Sequence, residues 1–106
     1  MNWIALQDYA QINKSLSQGD NFIVFKHSTR CSISSLVMHR FEQKFFLEGL
    51  KTFYLDLISY RSISNQLAID FKVEHQSPQV LFIQNGICAY HASHHFIDID
   101  EINAKI

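Results

Sequence analysis

The feature that most restricts the fold is an unbroken apolar run, Phe22-Ile23-Val24-Phe25, followed shortly by a segment of helical period. A strand that is apolar at every position is one covered on both faces, as in a parallel or mixed sheet lying between helix layers. Ser34 to Phe46 then carries Leu36, Val37, Phe41, Lys44 and Phe45 at helical spacing, and Gly49 closes it. Leu50 to Leu57 reads as a second core strand, and Ser62 to Phe71 as a short helix with Ile63, Leu67 and Phe71 on one side. Strand-helix-strand alternation requires a crossover, and therefore parallel pairing. Pro78 opens a further strand, Gln79 to Gln84, and Asn85-Gly86 is a two-residue hairpin signal that sends Ile87 to His91 back antiparallel. A first helix spans Asp8 to Leu16, with Asp8 able to cap it and Ser17-Gln18-Gly19-Asp20 ending it; a last helix spans Asp98 to Ile106. The predicted class is α/β, a mixed central sheet with helices on both faces.

A length of 106 residues, with no linker or repeat, fits one domain covering residues 1–106. A formal net charge of −1 gives no electrostatic reason to expect nucleic acid or an anionic membrane as partner. No apolar run is long enough to cross a bilayer, and Met1 to Asp8 lacks the basic start and apolar core of a signal peptide, so the expected location is the cytoplasm. The 9 phenylalanines point to an aromatic-rich core, to which Phe41, Phe45 and Phe46 are assigned.

In a reducing compartment the two cysteines read as reactive or buried thiols rather than a disulfide. Cys31 falls at the strand-to-helix junction, where the positive end of the helix dipole favours thiolate. Its neighbours Ser28, Thr29, Arg30 and Ser32 mark an exposed turn, and Arg30 adds positive charge. The fourth position of the dithiol pattern Cys-x-x-Cys is here Ser34, whose hydroxyl is placed to donate a hydrogen bond to the sulfur. Cys88, just past the hairpin turn, lies roughly 20 Å of strand away from Pro78 and is expected not to reach Cys31. His91, His94 and His95 have no carboxylate or cysteine partner nearby in sequence, so no metal is assigned. His94 is the histidine expected nearest Cys31, either to bind substrate or assist proton transfer or, equally, to cap a helix or lie on the surface; His27 reads first as a strand-end surface residue and second as one that tunes Cys31.

The order strand, Cys-x-x-Ser, helix, strand, helix, then Ser77-Pro78 before a hairpin and a last helix resembles the thioredoxin fold along nearly the whole chain. The resemblance implies a cis Ser77-Pro78 bond lying against the reactive sulfur, where Ser77 and Pro78 hold an extended substrate backbone. Lys26-His27-Ser28-Thr29-Arg30-Cys31-Ser32-Ile33-Ser34-Ser35 is similar to the active-site segment of the monothiol bacilliredoxins, as is Ala92-Ser93-His94. Ser32 departs from the proline common there. The family resemblance implies a thiol-disulfide oxidoreductase of the stress response that removes bacillithiol from S-thiolated cytosolic proteins. Cys31 and Ser34 would be catalytic, and Arg30, Ser77, Pro78 and His94 would bind substrate. No bound cofactor is implied; bacillithiol or a similar low-molecular-weight thiol is the co-substrate. Two other classes compete. One is a non-catalytic thioredoxin-like module that binds a peptide or protein. The other is an iron–sulfur carrier, which is disfavoured because Ser32-Ile33 lacks the Gly-Phe of Cys-Gly-Phe-Ser.

Overall fold

A computed structural model describes residues 2–45 and 49–106. The elements are β1 (Ile4–Ala5), α1 (Ala10–Ser17), β2 (Phe22–His27), α2 (Ser32–Lys44), β3 (Lys51–Asp56), α3 (Arg61–Phe71), β4 (Gln79–Gln84), β5 (Ile87–Ser93), a 3-10 turn (His94–Phe96) and α4 (Ile99–Asn103). The strands form one sheet in the order β1-β3-β2-β4-β5. β3 is parallel to β1 and β2; β4 runs antiparallel to β2 and to β5. The mixed sheet is the one the alternation predicted.

β2 is the central strand, and all six of its residues are buried. Alternation divides them between two layers. Phe22 and Val24 pack with Ile12 of α1 and with Ile63 and Leu67 of α3. Ile23 and Phe25 pack with Val37, Met38 and Phe41 of α2 and with Ile99 and Ile102 of α4. The second layer is dense in rings: Trp3, Phe25 and Phe41 have centroids 5.4–6.1 Å apart, and Phe41 meets Phe45 at 5.6 Å. Phe41 and Phe45 thus belong to the core, as expected; Phe46 lies outside the described residues.

The hairpin follows its dipeptide. Asn85 and Gly86 both have positive φ, 54° and 80°, the conformation a two-residue primed turn requires. β5 contains a bulge: Phe82 pairs with Tyr90 and Ile83 with Cys88, so Ala89 is the extra residue. Asp98 caps α4, accepting the Asp100 N–H at 2.9 Å. Asp8 accepts the Ala10 N–H at 2.9 Å, but it lies one residue before the cap of α1, which is Tyr9 and carries no side-chain cap, so Asp8 does not fill the role expected of it.

Several boundaries differ from the sequence reading; α1, for one, begins at Ala10 rather than Asp8, and β5 runs on to Ser93. β1 was not anticipated, because two exposed residues are too few to show a period. α4 ends at Asn103, three residues short of the chain end. α2 begins at Ser32, two residues early, and this matters most because it moves Ser34 from the start of the helix into its first turn.

Candidate active site

The site is built at the C-terminal end of β2. Strand pairing continues to His27, opposite Asp56, while the chain turns through Ser28 to Arg30. Cys31 N–H donates to Ser28 O at 3.0 Å, and Ser35 N–H donates to Cys31 O at 3.1 Å as the first helical bond. Cys31 is therefore the cap of α2, with extended backbone (φ −102°, ψ 118°), and no side chain caps the first N–H groups. Its thiol is half-buried and free. A sulfur at a cap sits beside unsatisfied amide donors and the positive end of a helix of 13 residues, an arrangement that stabilises negative charge on it. Arg30 is exposed beside it. Ile33 and Leu36 leave apolar side chains in solvent on the first turns of the same helix.

Ser34 has different partners from the one expected. Its side chain is fully buried. Its Oγ lies 2.6 Å from His27 Nδ1 and accepts the Ser28 N–H at 3.1 Å. It makes no hydrogen bond to the Cys31 sulfur. The reason lies in the helix start. With Cys31 as cap, Ser34 is the third helical residue, and its side chain turns in toward the end of β2.

His27 corrects a second expectation. It is buried, 6 % exposed, rather than lying on the surface. Its ring is 5.7 Å from that of Tyr54, and burial pushes its pKa down, against the pull of Asp56 and then Glu42. The signal was available: strand period places residue 27 on the same face as Ile23 and Phe25, toward α2.

Lys26, on the opposite face, is the residue the sequence reading passed over. It is fully buried. Its Nζ lies 3.4 Å from Ser64 O and 3.5 Å from His75 Nδ1, and His75 Nδ1 in turn lies 2.9 Å from Ser64 Oγ. Burial, followed by repulsion from Arg61, lowers its pKa from 10.5 to about 8, while the Cys88 charge acts the other way. His75 is lowered too, by burial and then by Lys26 and Arg61.

Ser77-Pro78 is a cis peptide. Gln79, the next residue, pairs with Lys26, so Pro78 stands beside the end of β2 from which the Cys31 turn departs. The Ser77 hydroxyl is buried without a hydrogen-bond partner. His94 donates its backbone N–H to Pro78 O at 2.9 Å, so the segment returns to Pro78 as expected; its residue has positive φ, 56°, and an exposed ring. That ring lines an open cavity of about 680 Å³ together with Val37, Arg40, Lys44, His95 and Asp98.

Cys88 lies at the other end of the sheet. It pairs with Ile83, which pairs with Phe22. Phe22 and His27 bound β2, so roughly 16 Å of strand separates the Cys88 level from the Cys31 turn. Both cysteines are free, and the Cys88 thiol donates to Tyr90 O at 3.3 Å. Burial raises the Cys88 pKa, so this thiol is disfavoured as a nucleophile.

Sheet order, the crossover through α2 and the cis-proline together define a thioredoxin fold. Solved structures agree. One, described as having a thioredoxin fold with oxidoreductase activity only provisionally assigned, is 24% identical, covers 96% of this chain and 91% of its own, and has a TM-score of 0.84. Thioredoxin from Malassezia sympodialis is 14% identical, with coverage of 99% and 87% and a TM-score of 0.73. Thioredoxin O2 from Arabidopsis thaliana, in the oxidized state, is 15% identical, with coverage of 97% and 90% and a TM-score of 0.65. The family described as Monothiol bacilliredoxin BrxC matches residues 4–102, and the chain belongs to that family. Its functional class is thiol redox chemistry.

Proposed function

We propose that this protein is a monothiol thiol-disulfide oxidoreductase that takes a low-molecular-weight thiol, bacillithiol in the first instance, off S-thiolated cytosolic proteins. The observation that carries this reading is a half-buried cysteine capping α2, with a buried serine at the fourth motif position and the other cysteine at the far end of the sheet. The Cys31 thiolate attacks the small-thiol sulfur of the mixed disulfide. A Cys31–small-thiol disulfide forms and the target leaves as its own thiolate, with no net electron transfer. An external thiolate then attacks the small-thiol sulfur and frees Cys31, yielding a small-molecule disulfide. Ser77, through its unpartnered hydroxyl, and Pro78 flank the target chain. Arg30 and His94 flank the departing small thiol. No bound cofactor takes part.

The cavity beside His94 supports a small-thiol substrate. Arg40 and Lys44 border it with positive charge and Asp98 and Asp100 with negative, as suits a small thiol carrying both a carboxylate and an amine, and Arg40 lies about 13 Å along the helix from Cys31. The unpartnered Ser77 hydroxyl and the exposed Ile33 and Leu36 also suit a module that only holds a peptide. One experiment separates the two readings. Incubate the protein with a target carrying bacillithiol, glutathione or cysteine as mixed disulfide, and follow both proteins by intact mass. Transfer of bacillithiol to Cys31, faster than of the others, is expected. Retention of every adduct on the target leaves only the binding module.

A further inference from the structure

The cavity between α2 and the segment after β5 carries charges of both signs that do not meet. Arg40 and Lys44 line it from α2, Asp98 and Asp100 from the start of α4, and His94 and Phe96 from the 3-10 turn. All four charged side chains are exposed, and among the described residues no ion pair joins any of them. Asp98 commits a carboxylate oxygen to the Asp100 N–H, at 2.9 Å, as the cap of α4, which leaves Asp100 the less committed carboxylate. We propose that Arg40, Lys44 and Asp100 set this protein's choice of small thiol, the two cations holding carboxylates at its far end and the aspartate an ammonium.

The assignment deepens the small-thiol reading and rests on it. Val37, the lining residue of α2 nearest its cap, lies about 9 Å along the helix from Cys31, and Arg40 about 13 Å. Long side chains on a helix lean back toward its N-terminus, which brings the Arg40 and Lys44 charges nearer the Cys31 end. On the other wall, the His94 N–H donates to Pro78 O at 2.9 Å and ties the 3-10 turn to the cis-proline. Tyr90 O–H donates to Phe96 O at 3.3 Å and accepts the Asp98 N–H at 3.2 Å, so Phe96 to Asp98 form a strap pinned from β5, and the 3-10 turn packs on α2. A thiol is therefore read by length as well as by charge. One whose charged groups stand roughly 9–13 Å from its sulfur reaches the lining side chains, whereas cysteine, with its charges beside its sulfur, is too short. A ligand of both signs meets each charge without breaking an existing pair. A long thiol with carboxylates and no amine faces Asp98 and Asp100 uncompensated, which selects against it.

The test separates binding from chemistry. The full chain with Cys31→Ser cannot exchange, so it is titrated with the S-methyl thioether of bacillithiol, which carries carboxylates and a free amine, and followed by ¹⁵N–¹H spectra. Saturable shifts in residues 37–44 and 94–100 are expected. Arg40→Gln and Lys44→Gln should each weaken the fitted Kd about threefold, and together about tenfold, as suits exposed charges. Asp100→Asn should weaken binding of this probe about threefold and leave that of its N-acetyl form unchanged. S-methylcysteine should shift none of these residues. The three substituted side chains are exposed, and the rest of the spectrum verifies the fold. Absence of a saturable shift, shifts confined to other residues, a Kd indifferent to the Arg40→Gln and Lys44→Gln pair, or equal loss for both amine forms in Asp100→Asn overturns the proposal. Transfer of bacillithiol to wild-type Cys31 without cavity binding removes this assignment alone. Cavity binding without transfer removes the transfer reaction and leaves the selectivity of the cavity standing.

Discussion

Replacing Lys26 with methionine should stabilise the protein at neutral pH, although it removes a charge and two hydrogen bonds. Lys26 is fully buried, its named charged neighbour Arg61 repels it, and its pKa falls from 10.5 to about 8. Each pKa unit is worth 1.36 kcal/mol, so below pH 8 the folded state carries a cost of up to about 3 kcal/mol for holding this ammonium. Methionine retains most of the apolar stem and its volume. The bonds lost are long, 3.4 and 3.5 Å, and neither partner is stranded: Ser64 O lies within α3, and His75 Nδ1 keeps Ser64 Oγ. A net gain of about 2 kcal/mol follows after about 1 kcal/mol is deducted for the lost hydrogen bonds. The sign of the pH dependence is fixed. Between pH 8 and 10.5 the unfolded chain binds the proton that the folded chain has released, so wild-type stability rises with pH across that window. The gap to Lys26→Met should therefore be widest at pH 7 and close toward pH 10.5. Urea unfolding of both proteins at pH 7, 8, 9 and 10 measures it. A variant less stable than wild type at pH 7, or a gap that stays flat with pH, would refute the reasoning.

Other outcomes follow from the site. Cys31→Ser should abolish mixed-disulfide formation by intact mass, while Cys88→Ser leaves it nearly intact, because the Cys88 thiol is held at the far end of the sheet and burial raises its pKa. Ser34→Ala should cost about 1–3 kcal/mol in chemical denaturation, since it strands the half-buried Ser28 N–H and the buried His27 Nδ1 together. Burial lowers the pKa values of both His27 and His75, so the unfolded chain binds more protons as pH falls below 6.5 and stability drops there; His27→Asn and His75→Asn should each flatten that acid slope in thermal melts. Arg40→Glu should slow transfer of a carboxylate-bearing small thiol by about fivefold, as expected for one exposed charge, and leave an uncharged thiol such as mercaptoethanol unaffected.

The layers were legible because they rest on periodicity and on two turn signals. Continuous apolarity marked β2 as central, Asn85-Gly86 fixed the antiparallel pair, and Pro78 marked the entry to β4. The position of Cys31 at a helix start was legible for the same reason. What stayed hidden depends on a shift of two residues at one helix end. Ser32 and Ile33 join α2, so Ser34 rotates inward to His27, and a polar pair the sequence treated as surface and catalytic becomes buried and mutual. Lys26 was hidden by its type. A lysine after four apolar residues reads as the place where a strand meets water, yet strand pairing carries it one rung further in, to Gln79 and Leu55. Burial of Lys26 and His27 follows from neighbours distant in sequence, which local patterning does not encode.

The buried Ser34 also bears on why a single sulfur suits this site. In a dithiol enzyme the fourth motif position must supply a thiol free to attack. Here the side chain at that position is fully buried and bound to both the Ser28 N–H and the His27 ring, so it fastens the turn that presents Cys31. A thiol is a weak donor and a weak acceptor with a longer bond, and would hold neither contact well. Position 34 therefore serves as a clamp, and a clamp cannot also be a resolving group that leaves its contacts in every turnover. With Cys88 roughly 16 Å away along the sheet, no other sulfur of this chain is placed to attack the Cys31 adduct. Under the proposed reaction, release must come from a thiol in solution, which meets the adduct at the half-exposed Cys31 itself.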